Sequence, residues 1–502
     1  MKRTLLVFAL IGFDVKFAAE AKPEPLDEKV PAILAAKQQK YGTPGMVATV
    51  IRDGKIVNTY ASGYADRENQ SPITADTLIP AASLTKLVTA VLVVRQAEQG
   101  RLELNKAAND YLPAPMQIAG NDGKPSRATL AQLLTHTSGL PVSWKPIASE
   151  GDPVQTLEEY LSQNLKAKFA PGERIVYAND AFSLAGYLAG RAEGERFAEH
   201  ATRVLLQPLR MHASTFVSPW ELKNEKLSRA YGSLMSPGAL SVHNDVTAAL
   251  PAGGLITTAP ELARFALMLL NGGELDGARI LKKESVESLF KIQARPYPES
   301  LTGFGLGFGV NETPGRVIAW WDGGLAGVAN RMILHPASRS GVVLLSNQSD
   351  NAASSEAANA IFELMVPHAP AAAYTPSADE LLRFSGKYRF YDLIDPRLWF
   401  LRYFIDLTIE PTNGTLRYNS RFLRSGELLP LGSGRFRFVD SRLAGLEVLF
   451  DGNTVYMLDL TARRIPFLNS AGMIATYALI TLAIFLYLFY RLLRAGFRRI
   501  FA

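Results

Sequence analysis

The 502-residue chain contains no cysteine. Disulfides, thiolate metal sites and a cysteine nucleophile are therefore excluded. Histidine is scarce too: the six present are scattered, with no HExxH spacing, so neither a metal site nor any other cofactor is expected. Charge of one sign is not concentrated: 53 Lys and Arg face 47 Asp and Glu, for a net charge of +6. No run of Lys and Arg interleaves with aromatics, so nucleic acid is not an expected partner. A Gly-x-Ser-x-Gly elbow, a Walker loop and a dinucleotide fingerprint are all missing. The glycine-rich run Gly303–Gly309 has the wrong spacing for phosphate and reads as a strand in close backbone contact.

What is present begins with the two ends. Lys2 and Arg3 precede an apolar run from Leu5 to Phe13, and Ala19-Glu20-Ala21 offers small residues for cleavage. Residues 1–21 therefore read as a signal peptide, although Asp14 and Lys16 interrupt it. No charged residue occurs from Ile465 to Tyr490, which is long enough for one transmembrane helix over 465–490. Arg463 and Arg464 precede that run, whereas Arg491, Arg494, Arg498 and Arg499 follow it. The richer basic flank places 491–502 as a cytoplasmic tail and the large N-terminal body on the extracytoplasmic side of the cell membrane, as a single-pass protein.

With 48% apolar residues and this length, two or three domains are expected. Met46–Ile51, a turn at Arg52-Asp53-Gly54-Lys55 and Ile56–Tyr60 read as a hairpin. Helical segments are expected at Leu84–Gln99, ended by Gly100, at Asp180–Ala192 and at Pro260–Leu270. Strands return at Arg316–Trp321, Ala329–Leu334 and Gly341–Leu345. Strands at both ends with helices between them predict an α/β (α+β) body, over 25–367, whose sheet joins its two ends. A Pro- and Ala-rich linker covers 368–377. Beyond it, short β-rich runs alternate with turns at Thr412-Asn413-Gly414, Gly432-Ser433-Gly434 and Asp451-Gly452-Asn453, the pattern of a small antiparallel barrel or sandwich over 378–462.

The chemistry centres on Ser83-Leu84-Thr85-Lys86. At Ser-x-x-Lys spacing, Ser83 sits at a helix N-terminus and Lys86 one turn on, on the same face. A desolvated lysine loses its proton readily and then accepts that of a serine hydroxyl. Ser288-Leu289-Phe290-Lys291 matches the same spacing, but in a charged stretch that reads as a solvated helix face. Ser83 differs in its apolar setting, from Leu78 to Leu84. Tyr177-Ala178-Asn179 supplies a tyrosine that can act as a base beside a lysine, and an amide able to hold an acyl carbonyl.

Ser83-x-x-Lys86, the segment Leu133–Leu140, and Pro171-Gly172-Glu173 followed by Tyr177-Ala178-Asn179 resemble, in order, serine β-lactamase-related hydrolases. So do Gly45-Met46-Val47, Asp53-Gly54-Lys55 and Gly253–Thr258. The resemblance covers roughly Pro31–Pro367. It implies a mainly antiparallel sheet flanked by helices, a helical region, and a site between them. It also implies a serine hydrolase of β-lactamase, penicillin-binding-protein or esterase type acting on a small-molecule or peptide substrate. Ser83 is then the nucleophile, Lys86 and Tyr177 share base and acid duty, and Asn179 positions substrate. His136 reads as structural.

The third family motif falls at Trp321-Asp322-Gly323-Gly324-Leu325. There Asp322 replaces the usual Lys or His, Gly323 and Gly324 admit a substrate backbone, and the N–H groups of Ser83 and Leu325 form the oxyanion hole. A carboxylate near Lys86 favours the ammonium and repels an anionic substrate. Poor β-lactam turnover and a preference for neutral or cationic substrates follow from that placement. In the other placement, Asp322 pairs with Arg331 and has no chemical role. The competing functional reading is a low-turnover envelope peptide-binding or sensing module.

Overall fold

The computed structural model describes residues 26–143, 147–148, 155–222, 224–232, 241–242, 246–313, 315–349, 351–367, 374–390, 406–420, 424–439, 447–457 and 460–465. The expected signal peptide (1–21), the tail (491–502) and all but the first residue of the expected transmembrane helix (465–490) lie outside them. Among the described residues, no helix is long and apolar enough to cross a membrane.

The sheet is antiparallel and has eight strands. Their spatial order is Thr302–Phe304, Gly309–Thr313, Arg316–Leu325, Val328–His335, Ser340–Ser346, Gly45–Arg52, Lys55–Asp66 and Ser71–Pro72. The first long strand thus lies beside the last, in the register Met46 to Ser346 and Ile51 to Gly341. The central strands are apolar runs rather than alternations: Gly45–Arg52 is buried except at its end, and Ser340–Ser346 throughout. That pattern requires cover on both faces. The helices Leu26–Tyr41 and Asn351–Glu363 pack together on one face, where Lys37, Lys40 and Tyr41 converge on Glu356. The helix Ala259–Leu270 lies against the same central strands and therefore covers the other face. Pro260 stands in its first turn, and Thr258 caps it by accepting from the Glu261 N–H.

The helical region is built around Thr85–Glu98. From Thr85 to Val94 every residue of this helix is buried, Thr85, Lys86 and Thr89 included, so the helix is enclosed on all sides. It ends where Gly100 takes a φ of +73°, which glycine adopts without steric cost. Asn179–Arg191 packs beside it. The glycine run is a zone of close approach, not a ligand loop. A Cβ at Gly307 (φ +87°) would come within 2.5 Å of Ala90 Cβ in the central helix.

After a short helix, Ala378–Phe384, the second domain is a closed eight-stranded barrel running from Gly386–Phe390 to Leu460–Arg464. This resolves the choice between barrel and sandwich. Tyr388, Tyr418, Phe436 and Phe450 are buried in it, and Phe384 packs against Phe436 and Phe450.

Candidate active site

Ser83 lies in a single 3₁₀ turn, Ala82–Leu84, that runs directly into the central helix. Ala82 adopts a φ of +51°, which is costly for a residue with a Cβ. Three contacts hold it there. The Ala81 N–H donates to Leu255 O, Asn330 Nδ2 donates to Pro80 O at 2.9 Å, and Thr85 Oγ1 donates to Ala82 O at 2.7 Å.

Ser83 Oγ stands 2.7 Å from Tyr177 OH and 3.0 Å from Lys86 Nζ. Lys86 also donates to Ala252 O at 2.7 Å. The side chain of Lys86 is fully buried, and burial drives its pKa well below the ordinary lysine value. A neutral amine in contact with a serine hydroxyl can take its proton directly or through Tyr177.

Tyr177 is half-buried and held from behind. His136 stacks on it at 4.8 Å between ring centroids and on Trp321 at 5.7 Å. His136 Nδ1 accepts from the Ala178 N–H at 3.1 Å, and its carbonyl accepts from the Val176 N–H. Burial, with Lys86 nearby, pushes its pKa well down. It is therefore a neutral support, in keeping with the structural role expected of it.

Asn179 opens the helix behind Tyr177, and its Nδ2 donates to Ser143 O at 3.0 Å. Beside it, Asp180 accepts from Tyr160 OH at 2.5 Å. Burial and Asp180 raise the pKa of Tyr160 and keep it a neutral donor.

The strand Arg316–Leu325 brings Gly323 against the nucleophile turn. A Cβ there would come within 2.3 Å of Ala81 O, so only glycine fits. Leu325, two residues on, shares that face. Trp321, two residues back, shares it also and carries the stack with His136 and Tyr177. Asp322 points to the opposite face. Its carboxylate receives Arg331 Nη1 at 2.8 and 3.0 Å, from the residue directly across the ladder. Arg331 Nη1 also reaches Ser355 on the covering helix. Asp322 is thus not the residue at the Lys or His position, and it does not face Lys86. Counting back from Gly323 in steps of two finds Trp321 there instead; that periodicity was available in the sequence.

The second Ser-x-x-Lys match does not form a site. Ser288 donates to Ser285 O within its own helix, and Lys291 is exposed.

The beta-lactamase family model matches residues 30–364. The chain is 27% identical over 269 residues to a beta-lactamase of Pseudomonas fluorescens, covering 52% of this chain and 67% of that one. It is 30% identical over 239 residues to the D-alanyl-D-alanine-carboxypeptidase/endopeptidase AmpH of Escherichia coli strain K12, covering 46% and 58%. It thus spans about two thirds or less of these relatives' length. The octameric penicillin-binding protein homologue from Pyrococcus abyssi superimposes with a TM-score of 0.58 at 21% identity, over 86% of this chain and 99% of that one. At that identity the likeness concerns the fold.

Two expectations follow. Lys86 is neutral in the folded chain at pH values where an unfolded lysine, with its ordinary value of 10.5, is protonated. The unfolded state then binds more protons, so the cost of burying Lys86 falls as pH rises toward that value. The stability of Lys86→Met relative to wild type is therefore greatest at low pH and declines through the alkaline range, as read by urea unfolding, while its activity drops at least about a thousandfold. Asp322→Ala strands a buried guanidinium. It should cost about 3 kcal/mol of stability and leave the pH profile of kcat/KM in place; a shifted profile would put the carboxylate back in contact with Lys86.

Proposed function

The chain belongs to the beta-lactamase family, and on that premise we propose that it is a serine hydrolase cleaving an ester or amide bond through an acyl-enzyme on Ser83. One observation carries this reading: Ser83 Oγ lies within hydrogen-bond reach of both Tyr177 OH and the buried Nζ of Lys86.

Ser83 Oγ attacks the carbonyl carbon, and its proton passes to the Lys86–Tyr177 pair. The resulting oxyanion is received by the N–H groups of Ser83 and Gly324; Leu325, the donor expected from the sequence, closes the hairpin opposite Val328, and its N–H belongs to that ladder. Collapse breaks the bond to the leaving alcohol or amine, which carries away that proton. Water then adds to the acyl-enzyme, the same pair takes its proton and returns it to Ser83 Oγ, and the acid is released.

The substrate side of the site favours neutral groups. Trp321 stands on the strand face toward Ser83, and an indole offers no positive charge to the carboxylate of a penicillin or a D-alanyl peptide. Poor β-lactam turnover is therefore retained as a proposal, now resting on Trp321. With the Asp322 carboxylate held by Arg331, no specific observation favours the peptide-sensing alternative. The apolar run 465–490, its basic flank and the leader over 1–21 support a membrane-anchored enzyme with its catalytic body extracytoplasmic.

A fluorophosphonate should label Ser83 in the folded full-length protein, and Ser83→Ala should abolish the adduct. Benzylpenicillin should leave no lasting adduct. Protein that remains unlabelled at Ser83 would overturn the hydrolase reading. External protease should digest the body on spheroplasts and spare the 491–502 tail; the reverse pattern would overturn the topology.

A further inference from the structure

A cavity of about 390 Å³ opens beside the nucleophile turn. That volume falls within the range of small-molecule sites, about 300–1,000 Å³. Its inner wall is Pro80, Leu255, Ile256 and Leu325. Pro80 and Ile256 are paired across a short ladder, and Leu325 directly follows Gly324, whose N–H faces away from the neighbouring strand. Gly253 also lines the cavity, and a Cβ on it would lie only 3.9 Å from the Ala82 carbonyl carbon. Gly253 thus brings the cavity up to the turn that carries Ser83, next to Ala82.

Its far side is aromatic. Phe197 and Phe216 meet edge to face at 5.2 Å, and Val217 lines the mouth at 44% exposure. The rim is acidic: Glu158, Glu199 and Glu221 are exposed there, with Arg196 spoken for by Glu199 at 3.1 Å. An apolar trough that starts beside the nucleophile turn and ends among carboxylates fits an uncharged hydrocarbon tail and disfavours one ending in an anion.

We propose that this cavity is an acyl-chain subsite, and that the substrate is a neutral ester bearing a medium-length, unbranched acyl group. The proposal rests on the serine-hydrolase reading. The carbonyl carbon sits at Ser83, and the chain runs past Leu325 and Gly253 toward Phe216 and Val217.

The test compares p-nitrophenyl acetate, octanoate and the mono-ester of octanedioic acid on the full-length protein in detergent. A buried methylene is worth about fourfold. The octanoate should exceed the acetate in kcat/KM by at least about a hundredfold, and the ω-carboxylate should lose most of that gain. Val217→Trp, a change at an exposed position, should collapse the octanoate-to-acetate ratio toward unity. If Ser83 takes the fluorophosphonate and acetate is turned over, but the ratio is near unity in wild type or unmoved by Val217→Trp, the subsite is overturned and the hydrolase reading stands. If no ester is turned over and Ser83 is unlabelled, the hydrolase reading falls. Calorimetry on Ser83→Ala then decides the cavity alone: octyl acetate binding at least about tenfold tighter than ethyl acetate, and losing that advantage with Val217→Trp, upholds it, whereas equal binding overturns it.

Discussion

A lysine taken wholly out of water gives up its proton unless an anion holds it, and the arrangement around Ser83 depends on Lys86 being kept in that condition. Its Nζ donates to a hydroxyl and to a backbone carbonyl. The rings of Tyr177 and Phe182 lie 5.0 and 5.8 Å from Nζ. Such rings favour an ammonium by about 0.5–2 kcal/mol. Desolvation of a buried ion costs several kcal/mol, so desolvation wins and the amine is left as a base. The helix that carries it is buried for more than two turns, which is why the water that would reprotonate it stays out.

Keeping a carboxylate away is the complementary requirement, and strand geometry meets it. Successive residues of Arg316–Leu325 face opposite sides. Gly323 and Trp321 look toward the nucleophile, whereas Asp322 looks toward the covering helix, where Arg331 neutralises it. The neighbouring strand divides its labour in the same way. Arg331 serves the far face. Asn330, across from Gly323, serves the near one by donating to Pro80 O and accepting from the Ser346 N–H. Two adjacent residues thus secure the two conditions under which Lys86 works: a fixed serine turn and a distant, compensated acid.

Much of this was legible in the sequence, for physical reasons. The order of strands, helices and strands, the Ser83–Lys86 spacing and the Tyr177 segment are local patterns, and the expected helices formed within a residue or two of their bounds, whereas the strand expected at Ile56–Tyr60 runs on to Asp66. Leu84–Gln99 became a 3₁₀ turn plus Thr85–Glu98, and Arg316–Trp321 extended to Leu325. The role given to Asp322 failed because it was read from its place before two glycines. Which glycine abuts Ala81 is set by the docking of strand on turn, a tertiary fact. Asn330, Ala252 and the pairing of Tyr160 with Asp180 were also out of reach, since each acts across a long sequence separation. Asn179, expected to position substrate, is itself oriented by the bond from its Nδ2 to Ser143 O, a contact the sequence did not reveal.

The backbone shows where the fold concentrates its strain. Among the described residues, eight non-glycine positions have positive φ. Six of them are exposed, where turn residues tolerate that conformation; only Ala82 and His136 are buried. Ala82 precedes the nucleophile, and His136 lies beneath the tyrosine that touches it. His136 Nε2 and Trp321 Nε1 are moreover buried without a hydrogen-bond partner, at about 1–3 kcal/mol for each such group. A chain selected for stability alone would relieve these costs with glycine and apolar side chains. The two buried positions of positive φ both lie around one hydroxyl, which is what a strained and preorganised site requires. The barrel, by contrast, closes its own sheet around aromatic side chains, which satisfies every strand edge without drawing on the site.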